Sequence, residues 1–241
     1  MTKKKIAIMA ATLIALAGAV QAQQTNAAVL PAELLAQFEK KWPTNRAINL
    51  VFHGHSVLAG YFVTPDVRPF EAYPHLVYQG LKKRFPLAVI NVIVTAIGGE
   101  TSPAGAARFE RDVLPHRPDV IFVDYALNDR RVPLEKVEAA WAAMIAQAKD
   151  RKIPIILLTP TGAVKADFPN PNEPLVQRAD LIRRLAREHR VPLADVSAAW
   201  QTEIAKGTPI RDLLSNGNNH PNLRGHTIAA DVILELFRTM K

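Results

Sequence analysis

Five short, near-continuous apolar runs are separated by stretches of helical period: 48–53 (INLVFH), 87–94 (LAVINVIV), 119–125 (DVIFVDY), 153–159 (IPIILLT) and 191–196 (VPLADV). A strand with one wetted face alternates apolar and polar residues. A run without that alternation belongs to a strand covered on both faces, as in a parallel sheet. Between the runs the period changes to 3.6. Behind Pro133, a residue suited to opening a helix, Leu134, Val137, Trp141, Met144, Ile145 and Ala148 fall on one face. Val176, Ala179, Ile182, Leu185 and Ala186 form a second stripe. A last helix from about Arg224 to Met240 carries Ile228, Val232, Ile233, Leu236 and Phe237. Strands alternating with helices imply right-handed βαβ crossovers and a doubly wound, three-layer α/β fold. No repeat, low-complexity tract or linker divides the sequence, so a single domain is expected over residues 31–241.

Ahead of that domain, Lys3, Lys4 and Lys5 precede an uncharged apolar stretch from Ile6 to Val20, and Val20 and Ala22 are small enough to flank a cleavage site. Residues 1–22 therefore read as a secretory signal peptide, with 23–30 (QQTNAAVL) as a mobile leader. The apolar stretch is short for a membrane span, which takes about 20 residues, although an uncleaved anchor is the other reading. The expected location is periplasmic or secreted, with no membrane span once the signal is removed. Lys plus Arg outnumber Asp plus Glu by 30 to 22, a formal net charge of +8. Cleavage removes three lysines and leaves +5, spread without a dense basic run, so nucleic acid is not an expected partner. The absence of cysteine excludes a disulfide scaffold, a thiolate zinc site, an iron–sulfur cluster and a cysteine nucleophile.

The residues that follow the first three strands carry the chemistry. After the first comes His53-Gly54-His55-Ser56, where a glycine turn can lift Ser56 to the top of the sheet as a nucleophile; a helix-capping serine looks the same. The second leads into Gly98-Gly99-Glu100-Thr101-Ser102-Pro103. Ser102 reads as a helix N-cap, and the two glycines as bare backbone N–H groups or as a plain turn. The third leads into Ala126-Leu127-Asn128-Asp129-Arg130-Arg131. Asn128 offers a neutral amide donor, Asp129 reads as a cap for the helix behind Pro133, and the arginines either attract an acidic substrate or are simply solvated. A base would come from His220, in Asn219-His220-Pro221-Asn222 on a Pro-stiffened loop, rather than from His226 inside the final helix pattern. The long loop 159–174 follows the fourth strand, where it forms either a rim of the site or an ordinary surface loop.

Taken in order, GHS at 54–56, GGETS at 98–102, ALND at 126–129 and HPN at 220–222 resemble the four blocks of the SGNH, or GDSL-type, hydrolase family. The resemblance covers nearly the whole chain beyond the signal. It implies a five-stranded parallel sheet of order 2-1-3-4-5, flavodoxin-like, with the first and third strands as neighbours at the switch point. It also implies that Ser56 is the nucleophile, that Ser56 and Gly99 give backbone N–H groups and Asn128 its amide to an oxyanion hole, and that His220 is the base. The reaction would be ester hydrolysis through an acyl-enzyme on a small acyl-ester substrate such as acetyl on carbohydrate, with no cofactor and no metal.

Three positions depart from the family's pattern. His55 replaces the aspartate of the first block, and Ala126 replaces a glycine of the third. Gly217 stands three residues before His220, where the family's triad aspartate belongs. The third triad member is therefore open among Asn216, Asp212, Asp195 and a backbone carbonyl. The missing acid leaves room for a catalytically impaired, ligand-binding relative. A metal-dependent hydrolase using His53 and His55, with Asp124 or His220 as further ligands, is another alternative, although five strands are too few for an eight-stranded barrel. An α/β-hydrolase is excluded, because Leu58 stands where the nucleophile elbow requires glycine.

Overall fold

The computed structural model describes residues 30–238. The signal pattern, the leader as far as residue 29, and Met240 of the last helix pattern lie outside those residues; Leu30, the last leader position, is buried against the core. Five strands, β1 (Ala47–Gly54), β2 (Val89–Val94), β3 (Val120–Asp124), β4 (Ile155–Leu158) and β5 (Leu193–Ala194), make one parallel sheet of order β2-β1-β3-β4-β5. The early helices are α1 (Ala32–Glu39), α2 (Ser56–Ala59), α3 (Tyr73–Arg84) and α4 (Ser102–Asp112). They are followed by α5 (Ala126–Asp129), α6 (Leu134–Asp150), α7 (Pro174–His189), α8 (Val196–Ala205) and α9 (Leu223–Glu235).

Successive strand residues point to opposite faces, so each unbroken apolar run feeds two cores. Leu50, Phe52, Val120, Phe122, Ile156 and Leu158 pack with α1, α3 and α9 on one side. Val51, Ile121, Val123, Ile155 and Leu157 pack with α4, α6 and α7 on the other. Phe52 and Phe122 are register partners across β1 and β3, and their rings stack with centroids 4.1 Å apart. Burying each such ring contributes about 1.5–3 kcal/mol.

Two elements differ from the sequence reading. β5 is short because Asp195 accepts the N–H of Ala198 and caps α8, which turns the chain into helix directly after Ala194. The inward face of α9 is built from Gly225, His226, Ala229, Ala230 and Ile233, leaving Ile228 and Val232 half-buried. Small residues let this helix approach closely: a Cβ on Gly225 would lie 2.4 Å from the Leu213 carbonyl oxygen.

With β1 between β2 and β3, the connections from its two neighbours leave in opposite directions, and a crevice opens at the carboxyl ends of β1 and β3. The loop 159–174 follows β4 and is tied to the loop before α9, Val164 N–H donating to the Asn218 carbonyl at 2.8 Å.

Candidate active site

At the end of β1, Gly54 is dictated by contact, since a Cβ there would stand 2.3 Å from the Asp124 carbonyl oxygen. The chain then enters α2, with His55 as its cap and Ser56, 8% exposed, as its first residue. Ser56 Oγ lies 3.2 Å from His220 Nε2, and His220 Nδ1 lies 3.0 Å from the Phe62 carbonyl oxygen. A carbonyl can only accept, so Nδ1 carries the ring proton and Nε2 turns its lone pair toward the serine hydroxyl. That is the tautomer a general base needs. Burial pushes His220 below the usual imidazole value; the bond to Phe62 opposes the shift and nearby His55 adds to it. The ring is thus neutral at neutral pH.

The group that orients His220 is a backbone carbonyl, and none of the three named side chains reaches the ring. Asn216 Oδ1 accepts the N–H groups of Asn218, Asn219 and His220 at 2.9–3.0 Å, shaping the loop. Asp195 is engaged by Thr159, by Arg183 and by the start of α8. Asp212 contributes its own carbonyl to Asn222 Nδ2. Phe62 is presented by a small flap in which its N–H donates to the Asp66 carbonyl and Arg68 N–H to that of Gly60. The Arg68 guanidinium lies 3.8 Å from the Phe62 ring centroid, which adds a cation–π contact to the flap.

Three donors gather at the crevice. The Ser56 and Gly99 N–H groups make no protein hydrogen bond among the described residues. Gly99 has φ +75°, an exposed left-handed conformation that favours glycine. Asn128 Nδ2 donates one hydrogen to the Glu100 carbonyl at 2.9 Å and keeps the other. Glu100 in turn holds the glycine loop down. Its carboxylate is clasped by the Arg108 guanidinium at 2.5–3.0 Å and accepts the Tyr125 hydroxyl at 2.8 Å, all within the interior. The start of α4 is also built differently from the sequence reading. Ser102 caps nothing; its N–H donates to Asp129 Oδ1 at 2.8 Å, while Asp129 Oδ2 accepts the Trp141 indole N–H at 3.2 Å. Asp129 therefore caps α4 from across the crevice, and it holds the helix behind Pro133 at Trp141 rather than by capping its start.

The His53/His55 ion site is not assembled. His53 Nδ1 meets the Thr95 hydroxyl at 2.8 Å, and Nε2 meets the Gly105 carbonyl at 3.1 Å and the Tyr125 hydroxyl at 3.0 Å, so both nitrogens are engaged. His55 instead faces Asp124 and the start of α2. His226 is buried and accepts Tyr73 N–H through Nδ1. Arg130 is half-buried with its Nε on the Leu127 carbonyl, and Arg131 is exposed. Phe62, Glu100 and Arg108 were not singled out as site residues from the sequence. Only Glu100, a carboxylate directly after the glycine pair, carried a local sign of its part.

Residues 52–228 match the model of the GDSL-like lipase/acylhydrolase family. An acetylxylan esterase from Geobacillus stearothermophilus is 26% identical over 166 residues, covering 64% of this chain and 75% of that protein. A crystal structure of an acetylxylan esterase from the same organism superimposes with a TM-score of 0.69 at 24% identity, over 80% of this chain and 95% of that one. Catalytic mutants of that esterase replace a serine, an aspartate, and a histidine three residues after the aspartate. A two-domain esterase active on acetylated mannans superimposes with a TM-score of 0.69 at 24% identity, over 85% of this chain and 51% of that one.

Proposed function

The chain belongs to the GDSL-like lipase/acylhydrolase family, and from that premise we propose that it removes small acyl groups, acetyl on carbohydrate in the first place, with Ser56 as nucleophile and His220 as base. The observation that carries the reading is the Ser56–His220–Phe62 line, 3.2 Å and 3.0 Å, with the proton on the far nitrogen of the ring.

In the first step His220 Nε2 takes the hydroxyl proton as Ser56 Oγ attacks the ester carbonyl. The oxyanion is held by the N–H groups of Ser56 and Gly99 and the free amide hydrogen of Asn128. Collapse returns the proton from His220 to the leaving alcohol, and water repeats the sequence on the acyl-enzyme. A neutral carbonyl stabilises the imidazolium less than a carboxylate does. Phe62 therefore fixes the tautomer at some cost in rate, which answers the missing acid without requiring an inactive site.

Carbohydrate is favoured by the acetylxylan and acetylmannan esterases among the similar proteins and by the export pattern of residues 1–22, which also supports a periplasmic or secreted location. The direct test is hydrolysis of p-nitrophenyl acetate and of acetylated xylo-oligosaccharides in chelator-treated buffer. Activity is expected in the unaltered protein and loss of it in Ser56→Ala and His220→Ala. Undiminished turnover by Ser56→Ala would overturn the assignment, and a folded protein inert toward every ester would favour the ligand-binding reading.

A further inference from the structure

Beneath the nucleophile lies a buried polar line that the proposed reaction does not use. His55 and Asp124 are 0% and 2% exposed. His55 Nδ1 accepts the Val57 N–H at 3.3 Å, so the ring proton sits on Nε2, which lies 3.4 Å from Asp124 Oδ1. Neither atom makes a hydrogen bond among the described residues, so their approach is a close charge-complementary contact rather than a formed bond. The second oxygen of Asp124 accepts the Tyr73 hydroxyl at 3.0 Å. Asp124 closes β3 in register with Gly54 of β1, so the carboxylate enters from the neighbouring strand at the level of the nucleophile turn.

Two orphaned polar atoms of opposite character, buried face to face, are costly apart and favourable together. Their pairing also accounts for His55 standing where an aspartate is usual in the first block. An aspartate at 55 would set a second buried carboxylate against Asp124, and two such groups in close contact cannot both ionise.

We propose that His55 and Asp124, steadied by Tyr73, are a matched pair of positioning residues: the acid usual beside the nucleophile has been exchanged for a histidine whose carboxylate partner comes from β3. The inference rests on the serine-esterase reading above. Asp124 locks the His55 ring, the ring holds the Val57 N–H and with it the first turn of α2, and the Ser56 N–H stays free for the oxyanion. Neither residue touches substrate. Their effect is on kcat, through the aim of Ser56, rather than on KM.

The test is a charge exchange in the full chain, read as kcat and KM on p-nitrophenyl acetate beside thermal unfolding. His55→Asp is expected to lower kcat by about a hundredfold, as a displaced nucleophile does, with KM little changed. Adding Asp124→Asn to it removes the carboxylate clash and is expected to recover about tenfold or more of that loss. A folded double variant no more active than His55→Asp, or a His55→Asp enzyme with unaltered kcat, would overturn the pairing. Should His55→Asp not fold, Asp124→Asn alone decides. It is expected to lower kcat several-fold at constant KM, and a wild-type kcat would overturn the proposal. An unaltered protein inert toward esters would remove the esterase reading and this inference with it. An active protein whose double variant shows no recovery would remove the inference alone.

Discussion

Gly217 occupies the position of the usual triad aspartate, and its φ of +61° explains why glycine is there. A side chain would strain the turn that Asn216 folds around itself, by about 1–2 kcal/mol. The imidazole N–H it would serve is already given to Phe62. Gly217→Asp is therefore expected to give no gain in kcat and a melting temperature lower by a few degrees, about 2–4 °C per kcal/mol for a chain of this size. A tenfold rise in kcat would mean that the carboxylate displaces the carbonyl. His220 also sets the pH dependence. In the proposed reaction only its neutral form accepts the serine proton, and burial holds its pKa below the usual imidazole value of 6.5. The acid limb of kcat/KM should thus have its midpoint below 6.5 and be abolished with the activity in His220→Ala; a midpoint above 7 would contradict the assignment. The pairing of Ser56 with His220 was legible in the sequence because each stands in a block that resembles the SGNH family's, in the family's order. The Phe62 carbonyl was not, because every residue has one, and only the folded flap decides which of them meets the ring.

At the scale of elements, the proposed oxyanion donors depend on a buried clamp between a loop and the helix after it. Arg108 of α4 reaches back to Glu100 and to the Thr95 carbonyl, and Tyr125, directly after β3, and His53 of β1 close the network. Glu100→Gln keeps the shape but removes the closer of the two carboxylates that face Arg108, leaving it Asp112 at 3.3 Å, which costs about 1–3 kcal/mol of stability. The loosened Gly98–Gly99 turn should lower kcat by about tenfold to a hundredfold at nearly constant KM, because the donors matter most to the charged intermediate. An equally large rise in KM alone, with kcat retained, would show that the loop binds substrate rather than the oxyanion. The strands and the helices α6 and α7 were readable from periodicity, since each buries a stripe of large apolar residues. The inward face of α9 was misjudged for the opposite reason: its contact is made by glycine and alanine, which a search for large apolar residues passes over. Likewise, Asp129 and Ser102 are 27 positions apart, and no local pattern joins them.

For the molecule as a whole, two histidines are built into the cores in neutral form. Burial lowers His226 to about 3, and burial together with Arg108 lowers His53 to about 4. The unfolded chain binds protons at both sites near pH 6.5, whereas the folded chain does not. The unfolded state thus holds more protons between 6.5 and about 4, and stability falls as the pH drops through that window, by about 1.4 kcal/mol per pH unit for each ring. Asp195 and Asp112, both held low, add to the loss below pH 4. Asp129 opposes it, because desolvation raises its pKa and protonation in the folded state relieves that burial. Two buried bases outweigh this one carboxyl above pH 4, so the denaturant midpoint should decline from pH 7 to 4.5. In His226→Asn, whose side-chain oxygen can still accept the Tyr73 N–H, the decline should be shallower by up to one proton's slope. A midpoint that stays flat from pH 7 to 4.5, or an unchanged slope in that variant, would mean that these rings take up protons without unfolding. The sheet would then have to open a path for water to the interior at the very strand ends that hold Ser56 and its partners.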